Sequence, residues 1–332
     1  MINEIIKMLL NNHVIAAILV PGLVTGFLAA LIIIWIERKI VALVQMRYGP
    51  LYVSKRIGGF LQPVADFIKL IFSELVIHGE SDRVIFTLAP ILMFTIAILP
   101  VAFIPVSPEI YVINCEYGLI IAIAIAMLSS IVISVAGWAS NDKFTFIGTA
   151  REALMTLAYE VPLLLAVLSM IIIYETGEPL SIIYFQRTLP GIILNPISFI
   201  VFIISIMMIT SRFPFEIPEA ETEIVFGPFT EYGSILFALS MGSVYVELYS
   251  LSLIAAMTYL GGWWGPGIMN NVTCIFWTLM KTFILMIILV LLRAIYPRLR
   301  VDQALTFSWK FLFTLGIISV FWSLFLRVYV IF

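Results

Sequence analysis

Residues 210–234 read TSRFPFEIPEAETEIVFGPFTEYGS. Five carboxylates, Glu216, Glu219, Glu221, Glu223 and Glu231, share this stretch with a single base, Arg212. Pro214, Pro218 and Pro228 keep it from forming one straight helix. Acids this close raise one another's proton affinity, and partial burial raises it further. Such a cluster can hold and pass protons near neutral pH. The plain alternative is a solvated acidic loop. Phe213, Phe215, Ile217, Ile224, Val225 and Phe226 are interleaved with the acids, which makes the stretch too apolar to float in water and predicts that it packs into the protein.

Four more ionisable side chains fall inside apolar runs: Glu152, Glu160, Glu247 and Lys281. A charge within a bilayer costs several kcal/mol unless it faces a wet cavity or a partner, so each is a candidate for ion transfer. Glu152 and Glu160 stand about 80° apart around a helix, close enough to face one side. We expect a path from the acidic stretch through Glu160, with Glu152, Glu247 and Lys281 as further members. The structural alternative pairs Glu247 with Lys281 and perturbs their proton affinities without moving a proton.

These residues need a membrane scaffold. The chain has 332 residues, 62% hydrophobic and 11% charged, where a soluble domain has roughly 25% charged. It is an integral membrane protein, and a net charge of −2 gives no ground for a nucleic-acid partner. Two cysteines, Cys115 and Cys274, and two histidines, His13 and His78, are its whole supply of soft ligands. An iron–sulfur cluster usually needs about four cysteines, and no metal-site spacing occurs. We therefore expect no metal and no redox centre on this chain alone. The cysteines read as small buried hydrophobes, with a disulfide as the alternative.

Runs long enough to span, about 20 apolar residues, lie at 14–36, 83–106, 116–137, 150–174, 192–210, 234–260, 272–294 and 308–331. The first is too long for a signal peptide and is kept as a helix. The expectation is an all-α membrane domain over residues 1–332, with about eight transmembrane helices. Arg38, Lys39, Arg47, Lys55, Arg56, Lys69, Arg83, Lys143, Arg151, Arg212, Arg293, Arg298, Arg300 and Lys310 fall on one side, against Lys7, Arg187 and Arg327 on the other. By the positive-inside rule the loops 37–83, 138–149, 211–233 and 295–307 are cytoplasmic and both termini are outside. Between the first two spans, Ile57, Phe60, Leu61, Val64, Ile68, Ile71, Phe72 and Leu75 form one helical face, and Gln62, Asp66, Lys69 and Ser73 form the other. This predicts an amphipathic interfacial helix, either a simple anchor or the floor of a chamber shared with a peripheral partner.

Four blocks carry a resemblance. The first is Glu37-Arg38-Lys39, Gln45-Met46-Arg47-Tyr48-Gly49-Pro50 and Gly59-Phe60-Leu61-Gln62-Pro63 with Asp66 and Lys69-Leu70. The second is Ala136-Gly137-Trp138-Ala139-Ser140-Asn141, Arg151 and Tyr159-Glu160. The third is the acidic stretch, and the fourth is Arg293-Ala294, Pro297-Arg298, Arg300, Asp302-Gln303 and Trp309-Lys310. In this order and on one side they resemble the H-subunit family of respiratory complex I (NADH-quinone oxidoreductase), with its relatives in membrane-bound hydrogenases and sulfur reductases. The resemblance implies a non-catalytic component in the plasma membrane of a prokaryote, joining a peripheral iron–sulfur arm to a membrane arm. It implies a quinone-type chamber at the interface and the start of a proton path. Iron–sulfur clusters would sit on partner subunits, and quinone would bind at the interface rather than to this chain alone. The implied partners are peripheral iron–sulfur subunits and a quinone-site-type subunit, antiporter-like and small membrane subunits, and lipid.

On the resemblance, Arg38, Lys39, Gln45, Arg47, Gln62, Asp66, Lys69, Arg212, Phe215, Arg293, Arg298, Arg300 and Asp302 would line the chamber or dock the partner. The basic residues among them could instead set topology and hold lipid phosphates. Two departures bear on the quinone: Val244 stands where complex I members carry Glu, and Gly227-Pro228-Phe229 replaces a Gly-Phe-Asn-like turn. A ferredoxin-fed hydrogenase or sulfur reductase, needing no quinone, is the second version. A stand-alone secondary transporter is a reading of another class, but the paired breaks it often shows are not found. A membrane transferase or protease finds no support in the scattered Asp66, Asp82, Asp142 and Asp302.

Overall fold

The computed structural model describes residues 12–53, 55–267 and 269–329; Lys7 lies outside them. All regular structure among these residues is helical. In chain order we number α1 (Asn12–Ile18), α2 (Leu23–Val44), α3 (Gln62–Phe72), α4 (Arg83–Ile98), α5 (Gly118–Ala139), α6 (Lys143–Tyr174), α7 (Pro179–Phe185), α8 (Gly191–Leu194), α9 (Pro196–Ile209), α10 (Glu221–Ile224), α11 (Ser234–Tyr259), α12 (Asn271–Ile295), α13 (Val301–Phe307) and α14 (Phe313–Tyr329). Seven segments are long and apolar enough to cross a membrane: Asn12–Val44, Arg83–Phe103, Gly118–Ala139, Lys143–Tyr174, Ser234–Tyr259, Asn271–Ile295 and Val301–Tyr329. The eighth expected span, 192–210, holds only the 14-residue α9, which Asn195 separates from α8. It is about 21 Å long, and it lies between α6, α11 and α14, so its neighbours rather than lipid cover much of it.

Several boundaries differ from expectation, for local reasons. Pro21 lies in the break that divides the first span into α1 and α2. The loop expected at 138–149 shrinks to residues 140–142, because Asp142 caps α6 by accepting a hydrogen bond from Phe144 N at 2.8 Å. Lys143 falls within the expected loop, but it belongs to helix that extends past the apolar run. The last span starts at Val301 and runs through a π-helical turn, Ser308–Leu312, into α14.

At the face opposite the basic loops, His13 Nδ1 lies 2.7 Å from Tyr111 O, Asn114 donates to Glu178 (2.6 Å), and Arg327 pairs with Glu175. Both described ends of the chain therefore share that face. The core lies between α6, α9, α11 and the helices around them, and α11 is buried along nearly its whole C-terminal half.

α3 rests against α2 and α11. Trp35 donates to Gly58 O (3.2 Å), Phe67 meets Phe27 edge-on, and Ser234 Oγ donates to Ser73 O (2.7 Å). Ile68, Ile71 and Phe72 point away from the bundle, in keeping with an interfacial helix. Its polar face divides: Asp66 turns inward toward Arg38, whereas Lys69 is exposed. Cys115 and Cys274 are both free, which removes the disulfide alternative.

Candidate functional site: a buried ion cluster where three cavities meet

The acidic stretch is packed, as its aromatic content predicted. Phe215 is 3% exposed and faces Phe307, and Leu299 N donates to Pro214 O (2.9 Å). Tyr232 stacks on Phe86 at 4.2 Å between ring centroids and donates to Ala136 O (3.1 Å). The turn Gly227–Phe229 seats between α5 and α6 where Gly137 and Gly148 leave room. A Cβ on Gly148 would stand 2.7 Å from Gly227 Cα, and one on Gly137 3.2 Å from Pro228. Where the resemblance leads one to expect a Gly-Phe-Asn-like turn, the flat face of Pro228 fills this space.

At the centre stands Glu37, near the end of α2 and 6% exposed. It accepts hydrogen bonds from Arg212 and Arg293, and from Tyr245 Oη at 3.3 Å. Arg293 Nη2 also donates to Glu216 (3.1 Å). The Arg212 guanidinium, 2% exposed, lies 4.7 Å from the Tyr245 ring centroid, and Arg293 lies 5.8 Å from that of Phe213. Glu37 and Arg212 offset each other in the buried part of the site, and Arg293 links Glu37 to Glu216 at its half-buried edge. A buried charge without such partners would cost several kcal/mol.

Three cavities meet at this cluster. One of about 590 Å³ opens on the basic face and is lined by Glu37, Arg38, Gln45, Arg47, Phe213 and Arg293. A second, about 370 Å³ and largely apolar, lies between α2, α3 and α11; Phe27, Ile34, Phe67, Phe237 and Tyr245 line it, with Arg38 and Asp66 bonded to each other (2.5 Å) at one end. Gln62 steadies Asp66 with a 2.8 Å bond. The third, about 150 Å³, is lined by Glu216, Glu219, Glu221, Arg212, Arg293, Val244 and Tyr245. Tyr245 borders the second and third cavities, and Arg293 borders the first and third.

Burial, with Glu219 and Glu221 adding to it, pushes the Glu216 carboxyl up to about 8. Arg298 and Arg212 favour the charged form, but desolvation and the two neighbouring acids outweigh them. Burial likewise lifts Glu219 to about 7, against the pull of Arg212 and with a further push from Glu221. Glu219 keeps contact with the acid cavity while protein surrounds the rest of it. Both carboxyls thus exchange protons near neutrality. Glu223 is the opposite case: Arg151 bonds it at 2.6 Å and Arg298 pairs with it, which holds it below the usual carboxylate range. Glu231 turns away to His78 (3.3 Å).

Beyond the cavity, Glu152 on α6 and Glu247 on α11 are buried, 2% and 3% exposed. The charges of Glu219 and Glu247 both act on Glu152, and Glu247 accepts from Ser129 Oγ at 2.6 Å. Glu160 sits on the half-exposed surface of α6, with no hydrogen-bond or ion-pair partner among the described residues. Lys281 does not join the acids. Its ammonium donates to Leu260 O (2.6 Å), Gly262 O (2.9 Å) and Trp264 O (2.6 Å), closing the end of α11. The expected alternative of a Glu247–Lys281 ion pair is therefore overturned: Leu260 is 13 residues along the helix from Glu247, about 20 Å.

Arg298, Arg300, Asp302, Arg151 and Glu223 line a separate groove of about 430 Å³ on the basic face. Arg47 bonds Gln45 (2.7 Å), and Lys39 packs beside Gly49. Among the described residues no group of three or more His, Cys, Asp or Glu is placed to hold a metal.

Sequence reasoning missed Glu37 and Tyr245 as site residues. A usable signal existed for Glu37. The buried positions of α2 include Gly26, Ala29, Ala30, Ile33 and Glu37, a helical stripe on which the acid falls. The adjacent Arg38 and Lys39 disguised it as part of a topological charge cluster.

A bundle with seven helices long and apolar enough to cross a membrane, enclosing buried acids and bases, defines a multi-pass integral membrane protein. The model of the NADH dehydrogenase family matches residues 16–324. The chain is 35% identical to the H subunit of NADH-quinone oxidoreductase from Dehalococcoides mccartyi over 295 residues, 88% of this chain and 81% of the relative. It is 35% identical to that of a Geobacillus species (86% and 85% covered) and 37% identical to that of Rickettsia prowazekii (82% and 82% covered). The chain belongs to this family, the H subunits of complex I, and is a multi-pass membrane component.

Proposed function

We propose that this chain couples a peripheral redox arm to ion movement in the membrane arm of a complex I-like pump. The observation that carries the reading is the meeting of the apolar cavity and the acid cavity at Tyr245, with the Glu37–Arg212–Arg293 cluster beside them. An apolar pocket of about 370 Å³ with Arg38 and Asp66 at one end suits a lipid-soluble carrier with a polar headgroup, and the relatives' name supplies quinone. A change of charge at that headgroup would pull on Arg38 and, through the cluster, on the protonation of Glu216 and Glu219. Protons pass on to Glu152 and Glu247. Glu160, bare on the surface of α6 inside a span, hands over to a neighbouring membrane subunit.

In this reading the basic face is cytoplasmic. Arg38, Lys39, Arg47, Lys69, Arg298, Arg300 and Asp302 then meet the iron–sulfur subunits, with antiporter-like and small membrane subunits alongside the bundle. Val244, an apolar wall of the acid cavity where the family's complex I members carry Glu, favours a second version. In that version the donor is ferredoxin, the complex is a hydrogenase or sulfur reductase, and no quinone enters.

Native purification from membranes with mass spectrometry is the test. Soluble iron–sulfur and antiporter-like subunits should co-purify, and their identity, with assay for bound quinone, separates the two versions. A folded chain that purifies alone would sink both. Within the complex, Glu160→Gln should impair ion pumping with assembly intact, and normal pumping would remove Glu160 from the path.

A further inference from the structure

The groove of about 430 Å³ on the basic face holds more positive than negative charge. Arg151, Arg298 and Arg300 line it against Glu223 and Asp302, and Leu299 and Val301 supply an apolar part. Arg300 is exposed and has no ion-pair partner among the described residues.

Glu223 fills the groove's other two arginines from within the chain. Its side chain, 44% exposed, bonds Arg151 at 2.6 Å and pairs with Arg298, and each of those arginine side chains is 22% exposed. Arg151 belongs to the long helix α6. Arg298 belongs to the link between α12 and α13, which Leu299 N fastens to Pro214 O (2.9 Å). Two guanidinium groups from separate, fastened elements thus converge on one carboxylate. Without it they would repel each other across the groove.

The carboxylate is the movable member of this trio. Glu223 sits on α10, a single turn of four residues with no side-chain cap. The turn ends at Val225, whose φ of 61° and ψ of −93° are unfavourable for a β-branched residue. Val225 is 53% exposed, so little packing rewards that conformation. α10 therefore depends on what its side chains grip, Ile224 in the core and Glu223 on the two arginines. A half-exposed ion pair is a weak grip, because water competes for both partners.

We propose that this groove seats an acidic segment of the peripheral partner, and that Glu223 is an internal stand-in for that segment's carboxylate. The chemistry of the occupant is read from the stand-in, since the arginines already hold a carboxylate. On docking, a partner carboxylate takes over Arg151 and Arg298, a second acid answers Arg300, and an apolar side chain lies over Leu299 and Val301. Glu223 turns out into water. The exchange swaps one ion pair for another, with no covalent step. The inference rests on the pump reading above, which brings a soluble arm to the basic face, and it adds what that arm presents there.

The test uses the intact complex in native membranes. A density map of the wild type should show an Asp or Glu of a soluble subunit within about 4 Å of the Arg151 or Arg298 guanidinium, with Glu223 turned away. An empty groove, a lipid phosphate in it, or Glu223 still bridging both arginines overturns the proposal. Washing membranes with rising salt gives a second reading. Arg300→Glu sets a like charge against the partner and should lower the salt concentration that strips the soluble arm. Glu223→Gln weakens the competitor and should raise it, whereas a merely structural Glu223 would lower it. An unchanged release point in Arg300→Glu overturns the docking, and an unchanged or lower one in Glu223→Gln overturns the stand-in. If wild-type membranes carry no soluble arm, the pump reading falls and this inference falls with it. An arm that is present over an empty groove overturns this inference alone. Where a variant fails to assemble, the wild-type map decides.

Discussion

At the basic face, Glu37 pairs with Arg212 and Arg293, Arg293 also reaches Glu216, and Glu219 and Glu221 crowd the adjoining cavity. At the opposite end, Asn195, Ser198, Tyr259 and Gln186 tie the helices with neutral hydrogen bonds, and the Lys281 ammonium is spent on three backbone carbonyls. Both regions are buried and polar, but they do different work. The neutral network has its bonding capacity filled and a single arrangement, which suits a fixed scaffold. The charged cluster offers alternative partners: Arg293 serves both Glu37 and Glu216, and Arg212 lies between Glu37 and the Tyr245 ring. A proton gained or lost at Glu216 changes which pairing is favoured. Charge makes a site responsive, and complete neutral satisfaction makes it rigid.

The comparison can be broken by mutation. Glu37→Leu leaves Arg212 and Arg293 without their shared carboxylate and should cost about 3–5 kcal/mol, the usual consequence of removing one partner of a buried pair. It should be read as a fall in the melting midpoint of the purified complex. Asn195→Ala removes bonds to Ser323, Ser319 and Ser198 and should cost less, about 3 kcal/mol at roughly 1 kcal/mol per bond. A larger loss at Asn195 than at Glu37 would reverse the assignment of charged and neutral ends.

Lys281→Met leaves three carbonyls short of a donor at the end of α11. A cost of about 2 kcal/mol is expected, with the proton-to-electron ratio unchanged in proteoliposomes. Lost pumping in a well-folded Lys281→Met complex would return this residue to the path.

The smallest effect concerns pH. Glu216 is held at about 8, above its ordinary value, so the folded state keeps a proton that the unfolded chain gives up. Its contribution to stability is therefore greatest at low pH and is lost as pH rises toward 8. Glu223, held low by Arg151 and Arg298, slopes the other way: its contribution is present at neutral pH and lost as pH falls through its folded value. Glu216→Gln should flatten the fall in melting midpoint between neutral and mildly alkaline pH. The change should be within about 1 kcal/mol, since the site is partly open to water. Infrared difference spectra should show a protonated carboxyl disappearing over that range in the wild type and less of it in the variant. An unchanged spectrum would mean that Glu216 is already ionised by Arg293.

Much of the bundle was legible in the chain itself. Apolar runs of spanning length mark seven of the long helices because the membrane rewards length and composition, which need no knowledge of neighbours. The interleaving of Phe213, Phe215, Ile217, Ile224, Val225 and Phe226 with acids announced a packed loop. Helix ends were read less well, since Asp142 capping α6 and the continuation through Ser308–Leu312 depend on single hydrogen bonds rather than on hydropathy.

What the sequence by itself determined is the membrane class, the helical architecture, the uneven charge of the two faces and the presence of carboxyls in apolar surroundings. Tertiary structure alone decided which charges meet. Lys281 and Glu247 both lie mid-sequence in spans, yet one closes the end of a helix and the other accepts a hydrogen bond from Ser129. Glu37 and Arg212 are 175 residues apart and bond directly. A helix face is periodic and can be read from spacing, whereas the partner of a buried charge is set by how helices cross, which no local pattern records.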